Sequence, residues 1–124
     1  VEYVPAAPLA AILAEYGSLT AYMRIKSKGG SQNSTPITPT TRLYSPPPFG
    51  ALPIDPSIMD NWIRSCAGYT ILTYVLGVGD RHLENLLLGE DGRLVHIDFA
   101  HLFGEDPKPF APPVKLCREM VEAM

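Results

Sequence analysis

The sequence predicts an α+β fold, mainly helical with one short β-hairpin. Residues 57–106 contain no proline, whereas all thirteen prolines lie on either side of that stretch. Proline removes a backbone donor and fixes φ, so regular structure is expected to persist where it is absent. Within the stretch, Ile58, Trp62 and Cys66 recur at helical spacing. Further on, Leu86-Leu87-Leu88 and Leu94-Val95-His96-Ile97 flank an Asp-Gly turn, the signature of a hairpin.

Each element has a local reason. Residues 8–16 (PLAAILAEY) predict a short helix, with Pro8 in its first turn and Gly17 as its stop. Ser18 is placed to cap a second helix over residues 19–25. Residues 26–54, with the core SKGGSQNSTPITPTTRLYSPPPFG, are rich in Ser, Thr, Gly and Pro and lack any apolar period. They are expected to form a disordered insertion, Ser45-Pro46-Pro47-Pro48 serving as a spacer or polyproline II segment. Asp55 followed by Pro56 predicts a cap and first turn, and Ser57-x-x-Asp60 resembles a capping box. The helix that follows is expected to run over residues 55–76. Its second half, CAGYTILTYVL, is apolar all round, which predicts a central helix buried by its neighbours. A loop at 79–85, a hairpin at 86–97, a Pro-rich loop at 98–115 and the start of another helix at 116–124 complete the reading.

Composition excludes several functions. The chain has 124 residues, 46% of them hydrophobic, and ten basic against thirteen acidic residues give a net charge of −3. That length holds one domain at most, and no basic excess exists to neutralise nucleic-acid phosphates. Two cysteines, Cys66 and Cys117, are too few for a disulfide scaffold, so reduced thiols and an intracellular site are expected. No leader-like opening and no apolar run long enough to span a membrane are present.

Chemistry concentrates where the long helix meets the hairpin. Asp80, Arg81, His82, Asn85, His96 and Asp98 gather there. A short hairpin brings Asn85 and Asp98 to the same open end, offering one amide oxygen and one carboxylate. Both are hard ligands, suited to Mg²⁺ that also keeps waters and phosphate oxygens, and phosphoryl transfer relies on such positioning. Protein kinases carry Asp-x-x-x-x-Asn and then an Asp-Phe-Gly whose Asp holds the metal. Asp80, Asn85 and Asp98-Phe99 reproduce that spacing, with Asp-Arg-His standing in place of His-Arg-Asp. An imidazole can accept a hydroxyl proton near neutrality, so His82 and Asp80 both qualify as the base. Arg81 reads as a catalytic cation or as a fork pairing a carboxylate of its own loop. His96, alternating with Leu94 and Asp98, reads as a hydrogen-bonded structural histidine.

The run GVGDRHLENLLL…GRLVHIDFAHLFGEDPKPFAPPVKLCREMVEAM resembles the phosphatidylinositol 3-kinase family, in particular its class III, vacuolar protein sorting type. The opening YVPAAPLAAILAEYGSLTAYMR is similar to the segment after that family's hinge, so the resemblance covers about three quarters of the chain. It implies the C-lobe of a kinase-like catalytic domain, with post-hinge helices at 1–25, the insertion at 26–54 and the C-lobe core at 55–124. The implied activity is transfer of the ATP γ-phosphate to the 3-hydroxyl of phosphatidylinositol, serving endosomal sorting and autophagy. ATP and Mg²⁺ (or Mn²⁺) are the implied cofactors. Asn85 and Asp98 would bind the metal, His82, Asp80 and Arg81 would be catalytic, and Leu87 and Ile97 would floor the adenine pocket beside Asp98. Lys108 and Lys115 would lie near the lipid headgroup; read from the residues alone, Phe103, Phe110 and the prolines of this loop could instead rest on the membrane surface.

Over residues 101–115 the two lysines are offset by Glu105 and Asp106. A site for more highly phosphorylated inositol lipids would want a basic cluster, so unphosphorylated phosphatidylinositol is expected. The resemblance also implies regulatory protein kinase-like and autophagy or endosomal adaptor subunits, no nucleic acid, and a cytoplasmic site peripheral to endosomal, vacuolar or autophagosomal membranes. Ala100 stands where the family has Gly, and its Cβ disfavours φ > 0, so the exit of the activation loop is expected to be restricted. No Gly-rich loop or strand lysine precedes the motifs, so the chain is expected to be a fragment, inactive alone. Rival readings are a phosphatidylinositol 4-kinase, a lipid-kinase-like protein kinase, or a non-catalytic truncated paralogue acting as a binding module.

Overall fold

The computed structural model describes residues 3–28 and 53–124. Strand β1 (Ala6–Pro8) leads directly into helix α1 (Leu9–Tyr16), and helix α2 (Leu19–Lys28) follows. Gly17 ends α1 in the left-handed conformation, its amide donating to the Leu13 carbonyl. The Ser18 hydroxyl accepts from the Ala21 amide at the start of α2. Helix α2 continues to Lys28, past the expected end at residue 25. Of the expected insertion, residues 29–52, including Ser45-Pro46-Pro47-Pro48, lie outside the described residues.

Helix α3 (Pro56–Val75) is capped by Asp55, whose carboxylate accepts from the Ser57 amide at 2.8 Å. Asp60 does not close the expected capping box; it pairs with Arg64 one turn later at 2.7 Å. Beyond α3, strands β2 (Leu86–Gly89) and β3 (Leu94–His96) pair antiparallel around a turn in which Gly92 has φ 86°. Helix α4 (Arg118–Glu122) begins two residues later than expected.

The hairpin belongs to a three-stranded antiparallel sheet in the order β1-β2-β3, with β2 at its centre. Pro8 opposes Leu87 in that sheet and is also the N-cap of α1, which begins one residue later than expected. A proline is tolerated there because β1 is an edge strand and needs no donor on its outer side. The sheet buries one face: Leu86, Leu88, Leu94 and His96 turn inward, while Leu87 and Val95 between them stay half-buried. Leu9, Ile12, Leu19, Met23 and Met120 join them around Trp62, which is fully buried.

The first half of α3 buries the expected stripe of Ile58, Trp62 and Cys66. Burial pushes the Cys66 thiol up to about 12, and Cys117 also rises through burial, so neither is a ready nucleophile. The second half departs from expectation. Beyond Cys66 only Thr73 is buried, while Ile71 and Val75 are 65% and 71% exposed. An apolar sequence states what a helix can bury, and among the described residues β3 covers only one stripe of α3.

Candidate active site at the open end of the hairpin

Gly79 fixes how the catalytic-loop segment meets the chain beyond the hairpin. A Cβ on Gly79 would lie 2.6 Å from the Glu105 carbonyl oxygen and 2.9 Å from the Asp106 Cα, so a larger residue would push the two loops apart. Backbone hydrogen bonds sew the same surfaces together: Gly79 N–H to His101 O, Phe103 N–H to Leu76 O, and Gly104 N–H to Gly77 O, all 2.8–2.9 Å. The end of α3 and the segment after Asp98 therefore form one unit.

Asn85 and Asp98 flank the open end of β2 and β3. The Ile97 amide donates to the Asn85 carbonyl at 3.0 Å, extending the ladder by one rung, and Asp98 follows directly on the residue paired with Asn85. The Asn85 side-chain amide donates to the Asp80 carbonyl at 3.0 Å, which fixes its orientation and leaves its oxygen as the free end. Strand alternation would turn Asp98 onto the buried face with His96. Instead, Asp98 has φ 58°, the strand ends, and Asp98 is exposed. Asp80 likewise has φ 52°. Asp tolerates the left-handed region better than most residues, and backbone of this kind collects at functional sites. No sequence signal announced it.

Ala100 lies outside that left-handed set, and its amide donates to Asp98 Oδ1 at 3.2 Å. The expected restriction at Ala100 is therefore not met: Asp98 makes the sharp backbone turn, and a Cβ at position 100 adds no strain.

Arg81 ties the two motifs together. Its guanidinium donates to the carbonyls of Gly79 at 2.8 Å, Ile97 at 2.7 Å and Asp98, and it lies over the Phe99 ring. The fork thus grips carbonyls on both sides of the site, where a carboxylate partner was one expectation. Burial lowers its pKa, and the charges of Asp98, Asp80 and Asp106 act in the opposite direction. His82 accepts from the Glu84 amide through Nδ1 at 3.3 Å, while Nε2 stands 3.8 Å from Asp80 Oδ2. With Nδ1 acting as an acceptor, the neutral ring carries its hydrogen on Nε2, so this edge is a donor.

His96 differs from expectation. It is buried and stacked on Tyr69, yet neither ring nitrogen has a hydrogen-bond partner among the described residues. Leu87 opposes Val95 across the ladder, and Ile97 follows two residues on, so these side chains share the open apolar face of the sheet. Lys108 and Lys115 line one cavity together with Arg81 and Asp106. Both also border a cavity of about 440 Å³ that Gly79, Asp106 and Phe110 line. Lys115 is paired with Asp106 at 2.8 Å, whereas Lys108 is exposed. Phe103 and Phe110 are 83% and 104% exposed, and both have left-handed backbone.

Among the described residues, no group of three or more His, Cys, Asp or Glu side chains is arranged to hold a metal. The donor set nevertheless fits a hard divalent cation that takes its remaining ligands from phosphate and water, because Asn85 and Asp98 together supply neutral and charged oxygen. No helix among the described residues is long and apolar enough to cross a membrane.

Residues 6–124 match the family model described as phosphatidylinositol 3- and 4-kinase. The chain is 46% identical over 123 residues to phosphatidylinositol 3-kinase VPS34 of Arabidopsis thaliana, covering 99% of this chain and 13% of that protein. It is 49% identical over 125 residues to phosphatidylinositol 3-kinase pik3 of Schizosaccharomyces pombe, covering 100% of this chain and 14% of the relative. Over 77 residues, 62% of the chain and 8% of the relative, it is 56% identical to phosphatidylinositol 3-kinase catalytic subunit type 3 of Caenorhabditis elegans. The chain thus spans about one seventh of the length of the first two relatives. On the match over residues 6–124 and these identities, the chain belongs to the phosphatidylinositol 3- and 4-kinase family.

Proposed function

We propose that this chain is the catalytic-loop and metal-motif portion of a class III phosphatidylinositol 3-kinase, which transfers the ATP γ-phosphate to the 3-hydroxyl of phosphatidylinositol to give phosphatidylinositol 3-phosphate. The observation that carries the proposal is the placement of Asn85 and the exposed Asp98 at the open end of the hairpin, where the Ile97 amide donates to the Asn85 carbonyl and the Asn85 side-chain amide donates to the Asp80 carbonyl. Asn85 and Asp98 hold Mg²⁺ or Mn²⁺, which when bound neutralises charge on the nucleotide's phosphates. Leu87 and Ile97 supply the apolar floor beneath the adenine. Arg81 keeps the catalytic loop and the Asp98 segment in register through its three carbonyl contacts. His82 donates a hydrogen bond from Nε2 to the transferring phosphoryl oxygens, and Asp80 receives the hydroxyl proton. Lys108 and Lys115 border the headgroup cavity, and Phe103 and Phe110 rest on the membrane.

The names of the relatives favour phosphatidylinositol 3-kinase over the 4-kinase and protein-kinase readings. Endosomal, vacuolar or autophagosomal membranes on the cytoplasmic side, with adaptor and protein kinase-like subunits, complete the proposal.

The test is a segment-exchanged kinase, in which residues 1–124 replace the matching segment of the fission-yeast relative. Vesicles of phosphatidylinositol should yield the 3-phosphate as sole product. Asp98→Asn should abolish turnover with folding retained. Asp80→Asn should cost about 10²–10⁴-fold in kcat, and His82→Gln should keep more activity than His82→Ala. A product phosphorylated at another hydroxyl, or unchanged turnover in Asp98→Asn, would overturn the reading.

A further inference from the structure

The two lysines assigned together to the headgroup are unlike in their surroundings. Lys115 Nζ meets Asp106 Oδ2 at 2.8 Å, and the two side chains are only 11% and 14% exposed. The other carboxylate oxygen, Asp106 Oδ1, accepts the backbone amide of Lys108 at 2.9 Å. The Lys115 ammonium holds the Asp106 carboxyl below the usual carboxylate range, followed by the Lys108 amide and, more weakly, by the Asp80 amide. One carboxylate therefore engages both the Lys115 ammonium and the Lys108 backbone. It also sits on the backbone that packs against Gly79, where even a Cβ has no room.

We propose that Asp106 and Lys115 are positioning residues that staple residues 106–115 into a closed ring against the catalytic loop, so that Lys108 is the cation that meets the phosphate of the lipid headgroup. A largely buried ammonium already paired to a carboxylate of its own loop gains little by turning to an outside phosphate. It would leave a buried carboxylate uncompensated, which is strongly unfavourable. Lys108 has the opposite setting. Its backbone is pinned by Asp106, its side chain is exposed, and among the described residues its ammonium makes no ion pair. A fixed backbone under a free cation presents charge at low entropic cost. The inference rests on reading this loop as the headgroup loop, and it divides the work between the two lysines.

In the segment-exchanged kinase, Asp106→Asn and Lys115→Met should each raise KM for phosphatidylinositol about tenfold, with the loss falling on KM more than on kcat. The double variant should be no worse than either single one, because both remove the same pair. Lys115→Arg should restore most of the KM. Amide exchange over residues 107–114 should accelerate in both single variants, a readout independent of catalysis. A raised KM in Lys115→Met with Asp106→Asn unaffected would make Lys115 a direct lipid contact and overturn the staple. Unchanged amide exchange in both would do so as well. Lys108→Met should raise KM without altering exchange in the loop. If Lys108→Met leaves KM unchanged while the pair variants still loosen the loop, the headgroup reading fails and the staple survives.

Discussion

His96 should make the fold sensitive to mild acid. Its side chain is 4% exposed, stacked on Tyr69 with ring centroids 4.2 Å apart and planes 4° from parallel. Burial, reinforced by the positive charge of Arg81, lowers its pKa to about 4, whereas an imidazole in the unfolded chain titrates near ~6.5. Between those values the unfolded state binds the extra proton. Stability is therefore complete above the unfolded value and falls as pH drops toward the folded one. The whole difference corresponds to about 3 kcal/mol, of which about 2 kcal/mol is lost between about pH 7 and about pH 5. Chemical denaturation of the segment-exchanged kinase at those two pH values, beside His96→Phe, measures it. Phenylalanine keeps a ring against Tyr69 and removes the titration. The original residue should lose about 2 kcal/mol more than the variant over that interval. At neutral pH the variant should be no less stable, since two buried nitrogens without partners leave with the imidazole. Equal pH dependence in the two proteins would refute the reasoning.

Three further outcomes are expected. Arg81→Lys should lower kcat at least about tenfold without unfolding the domain, because one ammonium cannot span the carbonyls of Gly79, Ile97 and Asp98 as the planar fork does; steady-state turnover with a thermal melt checks it, and full activity would show that the fork is dispensable. Ala100→Gly should change kcat by no more than about twofold, since Ala100 does not occupy the left-handed region that glycine favours; a large gain would mean that the loop needs a backbone state absent here. Trp62→Ala should cost about 3–5 kcal/mol of stability, as expected for a fully buried indole at the centre of the core. A loss below about 1 kcal/mol in equilibrium unfolding would count against that central position.

The placement of Asn85 and Asp98 at the hairpin's open end was legible because it is written in local spacing. The interval from Asp80 to Asn85 and the short hairpin between Asn85 and Asp98 bring an amide and an acid to one end of a ribbon, whatever surrounds them. Long-range facts were not legible. Nothing in Arg81 distinguishes a carboxylate partner from three carbonyls, because the carbonyls at Ile97 and Asp98 arrive from the far side of the hairpin. The two lysines looked alike because residues 106 and 115 come together only in the folded loop.

The sequence alone determined what depends on neighbours within a few residues. The caps at Ser18 and Asp55, the stop at Gly17 and the turn before Gly92 follow from side-chain oxygens and glycine backbone acting over one helical turn or less. Tertiary structure alone decided β1, because Ala6-Ala7-Pro8 has no strand-forming period and is extended by pairing with Leu87, Leu88 and Gly89. It also decided which apolar face of α3 is covered. The left-handed backbone at Asp80 and Asp98 belongs to the same class: it is held by Asn85, Arg81 and the packed loops around them, and no stretch of sequence contains all of those groups at once.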